Sequence, residues 1–400
     1  MSQVNALPDF NPNTVHITSF NNIIPITSFK LYMQKNLKID IIAGARPNFM
    51  KIAPIIEAIK RNQQTGADIR YRLVHTGQHY DKNMSDSFFE QLGIPHPDVN
   101  LGAGGGTQAE QTANIMIGYE KLLLQEKSDL CLVVGDVTST MACAIVAQKL
   151  HVKVGHVEAG IRSGDWSMPE EINRMVTDSI TNYFFTTTTI ANDNLKKNGI
   201  EDDRIYLVGN TMIDTLLKNR ERFQQPSIWK EIGLERGQYM VMTLHRPANV
   251  DEEKKLKELM NEIITHSRGL PLIFPVHPRT AKILQNMGIQ HPSLHMIEPL
   301  GYLEFNYLVE KAKAVITDSG GITEETTVMG VPCMTLRDNT ERPETITLGT
   351  NELIGTDPKA IKPAMEKLFG GNWKKGSIPD LWDGHAAERI IKHLLSLNRL

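Results

Sequence analysis

Short apolar segments alternate with helix-like segments along most of this chain, and this alternation limits the fold more than any other feature. The first series begins at Leu37, where LKIDIIAG is followed by the amphipathic FMKIAPIIEAIK. A second series begins near Gln238 with QYMVMTL and LPLIFPVH, separated by the helix-like EEKKLKELMNEIITHS. Apolar strands joined by helical crossovers form parallel, doubly wound sheets. We therefore predict an α/β protein with two Rossmann-like doubly wound parallel-sheet domains and a cleft between them.

The chain has 400 residues, which is enough for two domains of ordinary size. We predict an N-terminal Rossmann-like domain over residues 37–210, carrying most of the acid and base residues, and a C-terminal Rossmann-like domain over residues 211–378. The amphipathic segment 379–400 is expected to form a helix that packs back on the first domain. Residues 1–36 are polar and Asn-rich, so we predict a disordered N-terminal extension there.

Composition excludes several classes of partner. The formal charge is only -3 and no long run of Lys or Arg occurs, so nothing indicates nucleic acid or an anionic membrane. No segment approaches the roughly 20 apolar residues of a membrane span, and the N-terminus lacks a signal-peptide pattern. Cys131, Cys143 and Cys333 lie in apolar sequence without CxxC spacing, as is typical of reduced core thiols. We expect a cytoplasmic protein without a metal site.

Carboxylates are crowded where apolar segments end. In open α/β sheets, ligands bind at the carboxyl ends of the strands. Glu158 closes the apolar segment VKVGHVE, where an unpaired carboxylate would be costly, which favours a functional role. Glu170 also fits an S-x-x-E capping box with proline in the first turn, and Asp136 can equally cap the helix that follows it. Both interpretations of these two residues stay open.

Two segments are suited to phosphate. The turn after the first strand contains Gly44 and Arg46, with Lys51 on the following helix, and such a turn at a helix start can bind a phosphate. The segment 318–321, Asp-Ser-Gly-Gly, opens a helix that carries Glu324 and Glu325. Paired glycines let the backbone approach a diphosphate, and a carboxylate one turn later can bind a ribose diol. Neither GxGxxG nor GxxxxGK[ST] occurs, so a dinucleotide cofactor or ATP is not indicated.

Cations also follow strands of the second series. His245 and Arg246 follow the segment QYMVMTL, although a lone histidine is usually structural. The loop RDNTERP supplies Arg337 and Arg342, whose guanidinium groups suit phosphates, although exposed loop arginines are more often idle.

Eight motifs in order carry a family resemblance: GARPNFMK, TGQHYDKNMSD, VVGDVTST, GHVEAGIRSGD with MPEEINR, TLHRPANVD, PVHPRT, DSGGITEE and RDNTERPE. Over about residues 37–395 the chain resembles the non-hydrolysing UDP-N-acetylglucosamine 2-epimerases. The resemblance implies a homodimer of B-type glycosyltransferase architecture, with a UDP-sugar in the interdomain cleft and no cofactor. It also implies interconversion of UDP-N-acetylglucosamine and UDP-N-acetylmannosamine for cell-surface polysaccharide precursors.

Residue roles follow from the resemblance by motif position. The implied catalytic residues are Asp136, Glu158, Glu170 and His245. The implied UDP site consists of Arg46, Lys51, Phe305, Ser319, Gly320, Gly321, Glu325 and Arg342. Two of the three carboxylates would form an opposed acid–base pair, and which is the acid stays open. The family's GTRPE turn reads GARPN here.

Other activities share much of this pattern. A 2-epimerase of another UDP-2-acetamido sugar, such as a UDP-2,3-diacetamido uronic acid, would share nearly every motif. A hydrolysing relative would release free N-acetylmannosamine, and a B-type glycosyltransferase would need an acceptor. A UDP-sugar sensor without catalysis is disfavoured, because binding alone does not require three clustered carboxylates.

Overall fold

The computed structural model describes residues 36–77, 89–276 and 278–397. The predicted extension 1–36 lies outside these residues apart from Asn36, as does most of the motif TGQHYDKNMSD. Among the described residues, no helix has both the length and the apolar character needed to cross a bilayer.

The first sheet has seven strands, and every pair of neighbours is parallel. Its order is β3-β2-β1-β4-β5-β6-β7. The order reverses between β1 and β4, and such a reversal marks the ligand crevice of an open α/β sheet. The strands are β1 (Leu37–Ala43), β2 (Ile69–His75), β3 (Val99–Asn100), β4 (Leu130–Val134), β5 (Lys153–Val157), β6 (Tyr183–Thr186) and β7 (Ile205–Leu207).

The second sheet repeats this topology with six parallel strands in the order β10-β9-β8-β11-β12-β13. Its reversal lies between β8 and β11. The prediction of two doubly wound parallel sheets is therefore confirmed. The strands are β8 (Met240–Thr243), β9 (Leu272–Pro275), β10 (Leu294–Ile297), β11 (Ala314–Thr317), β12 (Cys333–Thr335) and β13 (Asn351–Leu353).

In the described part of the chain, helices lie between most successive strands, as parallel pairing requires. In the first half they are α1 (Arg46–Gln64), α2 (Gln108–Gln125), α3 (Thr138–Lys149), α4 (Pro169–Ile180) and α5 (Thr189–Lys197). They continue with α6 (Thr211–Asn219), α7 (Ser227–Glu231), α8 (Pro247–Val250), α9 (Glu253–His266) and α10 (Pro278–Asn286). The last are α11 (Tyr302–Lys311), α12 (Gly320–Met329), α13 (Pro343–Thr347), α14 (Ile361–Phe369) and α15 (Ala386–Leu397).

The packing of α1 shows why the sequence forms these layers. Its apolar side chains recur every three or four residues, so one face of the helix is apolar. Phe49, Ile52 and Ile59 on that face are fully buried against Ile39 and Ile41 of β1 in one apolar cluster. The three cysteines are buried and unpaired, as predicted from their apolar surroundings.

Two connecting segments pass between the sheets, one after β7 and one before α15. They meet each other, since a Cβ at Gly209 would collide with the carbonyl oxygen of Leu381. The final helix α15 packs against α1 of the first half. Asp214 of α6 caps α15, because its carboxylate accepts the backbone N–H groups of Ala386 and Ala387 at 3.0 and 2.7 Å. The end of the chain is thus fixed to the first half.

Candidate active site

The site forms where the carboxyl ends of both sheets face each other. Each sequence-predicted residue that follows a strand lies at such an end, on either side of the two points of strand-order reversal. In the first half these residues are Arg46 after β1, Asp136 after β4 and Glu158 after β5. In the second half they are His245 after β8, Ser319 after β11 and Arg342 after β12.

Glu158 is the central carboxylate of the site. It is only 3% exposed, and its backbone is left-handed, with φ 70°, which is strained for a residue other than glycine. Its Oε2 lies 2.6 Å from Nζ of Lys51 and 3.2 Å from Nη2 of Arg342. Lys51 comes from the first half of the molecule and Arg342 from the second. The carboxylate therefore joins the two halves.

The charge of Glu158 follows from these contacts. Burial acts to raise its pKa, because desolvation disfavours a carboxylate. The ammonium of Lys51 and the guanidinium of Arg342 act in the opposite direction and prevail, so the pKa of Glu158 lies below its ordinary value. Glu158 is thus an ionised carboxylate between two cations.

Arg342 is held by a second carboxylate. Nε of Arg342 donates to Oε1 of Glu324 in α12, and both side chains are buried. Burial raises the pKa of Glu324 to about 7, although the guanidinium of Arg342 opposes that rise. Glu324 lies on the helix predicted after Gly321, but no sequence pattern assigns it a role. Ion pairing across sequence separations of this kind leaves no local pattern that would have identified it.

Asp136 is anchored by Arg174 of α4. Nη1 of Arg174 contacts the Asp136 carboxylate, while the same guanidinium donates to Oε2 of Glu171 at 2.6 and 2.9 Å. The amide of Asn173 also donates to the backbone oxygen of Asp136 at 2.8 Å. Asp136 is partly accessible and its orientation is fixed from one side by α4.

Glu170 lies in the first turn of α4 and is partly exposed. The capping-box interpretation is wrong, because the residue before the helix is Met168 and no side chain caps it. Ser167 instead bonds to Asp165, its Oγ lying 2.6 Å from Oδ1. Arg174 follows Glu170 by four residues, a spacing that suits an ion pair on a helix, but its guanidinium bonds to Glu171 and Asp136. Glu170 is left facing the cleft.

Glu170 lines a cavity of about 510 Å³ between the two halves. The second half contributes His245, Arg246 and Arg337 to its wall. The cavity wall thus carries both acidic and basic side chains, and both halves of the molecule contribute to it.

The side chain of His245 is 61% exposed and contacts a buried aspartate. Its Nδ1 lies 2.7 Å from Oδ1 of Asp318, and the backbone N–H groups of His245 and Arg246 donate to the same carboxylate at 3.0 and 2.9 Å. Burial acts to raise the pKa of Asp318, yet the bonds from His245 and the two N–H groups lower it overall. Asp318 therefore orients the imidazole, a role the sequence analysis missed.

The start of α12 is open to close approach. Ser319 occupies the N-cap without a side-chain cap, and the helix begins with Gly320 and Gly321. A Cβ at Gly320 would lie 2.7 Å from Oε1 of Glu341, so a larger residue would displace the Glu341 carboxylate. The first N–H groups of a helix have no partner within the helix and attract anions. This end therefore suits diphosphate oxygens.

Two further residues of the implied UDP site, Phe305 and Glu325, lie on the successive helices α11 and α12. Glu325 is buried and accepts a bond from the hydroxyl of Tyr302 at 2.9 Å. Burial raises the pKa of Glu325 to about 7. Phe305 follows Tyr302 by one turn and packs, partly exposed, in the same apolar cluster as Ile322.

The turn after β1 is shaped by Asn48. Its Oδ1 accepts the backbone N–H groups of Gly44 and Ala45, both at 3.0 Å, and its Nδ2 donates to the carbonyl of Val134 at 2.9 Å. Arg46 begins α1, and its side chain lies outside the described part of the structure. The last residue of the family's GTRPE turn is a glutamate, whereas in GARPN it is Asn48. The amide of Asn48 both accepts and donates hydrogen bonds in this turn.

The halves also meet at the rim of the cleft, where Nδ2 of Asn339 donates to Oδ2 of Asp165 at 3.0 Å. The structure thus brings Lys51, Glu158 and Arg342 into direct contact, while Asp136 is bonded to α4 and Glu170 lies in the first turn of that helix. Within the described residues, no group of three or more His, Cys, Asp or Glu side chains is arranged to hold a metal ion.

Comparison with known proteins decides the family. The profile of the family described as UDP-N-acetylglucosamine 2-epimerase matches residues 60–395. The chain belongs to the UDP-N-acetylglucosamine 2-epimerase family. The UDP-N-acetylglucosamine 2-epimerase of Methanocaldococcus jannaschii is 41% identical over 370 residues, which cover 90% of this chain and 99% of the relative.

Two further comparisons extend this result. A UDP-2,3-diacetamido-2,3-dideoxy-D-glucuronate 2-epimerase of Pseudomonas aeruginosa is 40% identical over 90% of this chain and 100% of its own. The crystal structure of the M. jannaschii epimerase in complex with UDP-GlcNAc and UDP matches with a TM-score of 0.81, covering 90% of this chain and 100% of that one. The family thus includes members named for different UDP-sugars.

Proposed function

We propose that this protein interconverts UDP-N-acetylglucosamine and UDP-N-acetylmannosamine without hydrolysis. The observation that carries the proposal is the position of Glu158. An ionised carboxylate is placed where the two sheets meet, with a cation from each half on the same oxygen. Such a site can hold a charged diphosphate and a proton-transferring group within one small volume.

The proposed reaction is an elimination followed by an addition. The C2 proton of the sugar is not α to a carbonyl, so its simple removal would leave an unstabilised carbanion. In the proposed route a base takes the C2 proton, the C1–O bond breaks, and its electron pair leaves with UDP, which gives a 2-acetamidoglucal. A proton then reaches C2 from the opposite face while a UDP oxygen re-forms the bond to C1. The reactant and the product have the same atoms.

Acid–base groups are needed on two faces of the sugar. We assign one to Glu158, which is ionised and therefore able to accept a proton, and the opposed one to Glu170, which lines the cavity between the halves. Asp136, held by Arg174, completes the group. In the reverse direction the two roles exchange.

The remaining residues are proposed to hold UDP. The N–H groups at Ser319, Gly320 and Gly321 suit the diphosphate, together with the cations of Lys51 and Arg342. Glu325 and Phe305 are proposed for the ribose and the uracil, and Arg46 for a phosphate. His245 is proposed to stabilise or protonate the departing diphosphate, since Asp318 holds its ring at the mouth of the cleft.

A second copy of the chain is the proposed partner. Helices α2, α3 and α4 form a layer on one face of the first sheet. Its outer edges carry exposed apolar residues, namely Ile117 and Leu124 of α2, at 50% and 70% exposure, and Ile172 of α4 at 45%. We propose that this face forms the homodimer contact. I117D/L124D should shift the molar mass in light scattering from dimer to monomer. A wild-type monomer would contradict the proposal.

We further propose that the enzyme works in the cytoplasm and supplies a precursor of cell-surface polysaccharide. This proposal rests on the family resemblance. A deletion strain should then lose the polysaccharide, and N-acetylmannosamine should restore it only if a separate route activates that sugar.

One alternative substrate has a specific observation in its favour. Arg246 and Arg337 line the cavity beside Glu170 and share the single carboxylate of Glu341, at 3.9 and 2.6 Å. A uronic-acid carboxylate on the sugar would meet this pair of guanidinium groups favourably. A UDP-2,3-diacetamido uronic acid is therefore the second candidate.

The deciding experiment is NMR of the purified protein in D₂O with each UDP-sugar in turn and no acceptor. We expect UDP-N-acetylmannosamine to appear from UDP-N-acetylglucosamine, with deuterium at C2 of both sugars. Release of UDP with free N-acetylmannosamine would instead identify a hydrolysing enzyme. Turnover of the diacetamido uronate alone would replace the first candidate with the second.

A further inference from the structure

Glu324 lies in a chain of ion pairs that joins the two halves of the molecule. It is fully buried in α12, and its Oε1 accepts a bond from Nε of Arg342. Nη2 of the same guanidinium lies 3.2 Å from Oε2 of Glu158. The contacts therefore run from a helix of the second half, through one arginine, to the central carboxylate of the first half.

The geometry of a guanidinium makes the Glu324 contact important. The group is planar and rigid, so a bond at Nε fixes the plane and thereby the direction of both terminal nitrogens. Nη1 of Arg342 and Oε2 of Glu324 form no hydrogen bond within the described structure. The bond at Nε is thus the contact that orients the Arg342 head group from its own half.

We propose that Glu324 is a positioning residue for Glu158, because it holds the guanidinium of Arg342 in the orientation that places Nη2 on the Glu158 carboxylate. The proposal rests on the proposed function in one respect only, namely that Glu158 transfers a proton. The contact itself is independent of the substrate.

Several charged groups face Glu324, and they decide in which direction the pKa of Glu158 shifts when Glu324 is removed. Arg342 and Lys51 are cationic, while Glu158, Glu344 of α13 and the neighbouring Glu325 are carboxylates. If Glu324 acted only as a like charge near Glu158, its removal would lower the pKa of Glu158 or, below about pH 7 where Glu324 is itself protonated, leave it unchanged. If it positions Arg342, its removal frees the guanidinium from Glu158, and the pKa of Glu158 rises. Only the positioning role therefore predicts an upward shift.

The first test compares E324L with E344L in the pH profile of kcat. Both variants replace one buried carboxylate near Arg342 with an apolar side chain of similar size that accepts no hydrogen bond, but only Glu324 bonds to Nε. We expect E324L to lower kcat about tenfold and to move a limb of the profile upward by about half a pH unit or more, with KM changing less. E344L should keep kcat within about twofold and leave both limbs in place. A downward shift, an unmoved profile, or the same change in both variants would overturn the proposal.

A second variant and a structural measurement guard against misfolding and against a wrong substrate. E324D keeps the charge but shortens the reach, so positioning predicts the same upward shift, whereas a pure charge effect predicts none. Crystal structures of E324L and E344L should show the contact between Arg342 and Glu158 lost in the first and kept in the second. If E324L retained the contact, the proposal would fail whatever the substrate. A wild-type protein inactive on UDP-N-acetylglucosamine would overturn the proposed function instead.

Discussion

Glu158 and Glu170 are two carboxylates of one cleft that lie in opposite surroundings. Glu158 is buried at a strand end, in a strained backbone conformation, between two cations. Glu170 is partly exposed in the first turn of a helix and lines a cavity of about 510 Å³. If both residues transfer protons as proposed, activity and stability are coupled at the first position and separable at the second. Substitutions at the two positions should show this difference directly.

The largest effect is expected from E158Q. The amide cannot exchange a proton at C2, so we expect kcat to fall by about a thousandfold. The variant also leaves Lys51 and Arg342 buried without this carboxylate, so the free energy of unfolding should fall by about 3 kcal/mol. NMR turnover and urea unfolding measure the two effects. Wild-type turnover in a folded E158Q would remove Glu158 from the mechanism.

The pH dependence of stability sharpens the same point. The pKa of Glu158 in the folded protein lies below its ordinary value of 4.5, so the unfolded chain binds more protons as the pH falls. The stabilisation by Glu158 is therefore complete above pH 4.5 and is lost as the pH falls below it. The difference in unfolding free energy between wild type and E158Q should shrink on acidification. A difference that grew would mean that the fold holds Glu158 protonated.

E170Q should affect activity without affecting stability. We expect kcat to fall by about a hundredfold, because the opposed proton donor is lost. The free energy of unfolding should change by less than about 0.5 kcal/mol, because the side chain is partly exposed. E171Q is the matched control on the same helix. Because Glu171 is buried against Arg174, this variant should have a lower free energy of unfolding in urea than the wild type. If E170Q and E171Q lowered the free energy of unfolding equally, Glu170 would stabilise the fold as a buried carboxylate does, and it would no longer differ from Glu158 in this respect.

Much of the fold could be predicted from the sequence. Parallel sheets leave apolar strands and amphipathic helices in alternation, and the site residues lie where those strands end. The contacts among them could not be predicted in the same way. Lys51 and Glu158 are 107 positions apart and Arg342 lies 184 positions beyond Glu158, so no local spacing reports their meeting. The roles of Glu324 and Asp318 were missed for the same reason.

The capping box at Ser167 failed for a local reason. Its hydroxyl bonds to Asp165 within the preceding turn, which competes with capping of α4. Sequence pattern alone does not decide between two short-range partners of one serine. The consequence is that Glu170 faces the cleft instead of completing a cap.

H245A tests the mouth of the cleft, where the expected effect is smaller. The imidazole is largely exposed, so we expect kcat to fall about tenfold, with little change in the free energy of unfolding. H266A provides a matched control, because His266 pairs with Glu262 on the surface of α9. If H245A turned over substrate as fast as H266A, His245 would have no role in the departure of UDP.

The smallest effect is expected from N339A. This variant removes the bond to Asp165 across the rim and leaves the acid–base groups in place. We expect KM to rise by about threefold with kcat unchanged, since a rim contact affects closure more than chemistry. S396A, at a serine bonded within the last helix, is the control and should match the wild type. A fall in kcat alone would place the contact in the chemical step.

The two touching connecting segments at Gly209 and Leu381 have a mechanical consequence. Links that lie side by side form a narrow pivot, and displacement grows with distance from a pivot. The contact between Arg342 and Glu158 spans the two halves, and at 3.2 Å it would survive only a small change in the angle between them. A rotation that withdrew Arg342 would remove one of the two counter-charges of Glu158. The basicity of that carboxylate would then follow the angle between the halves.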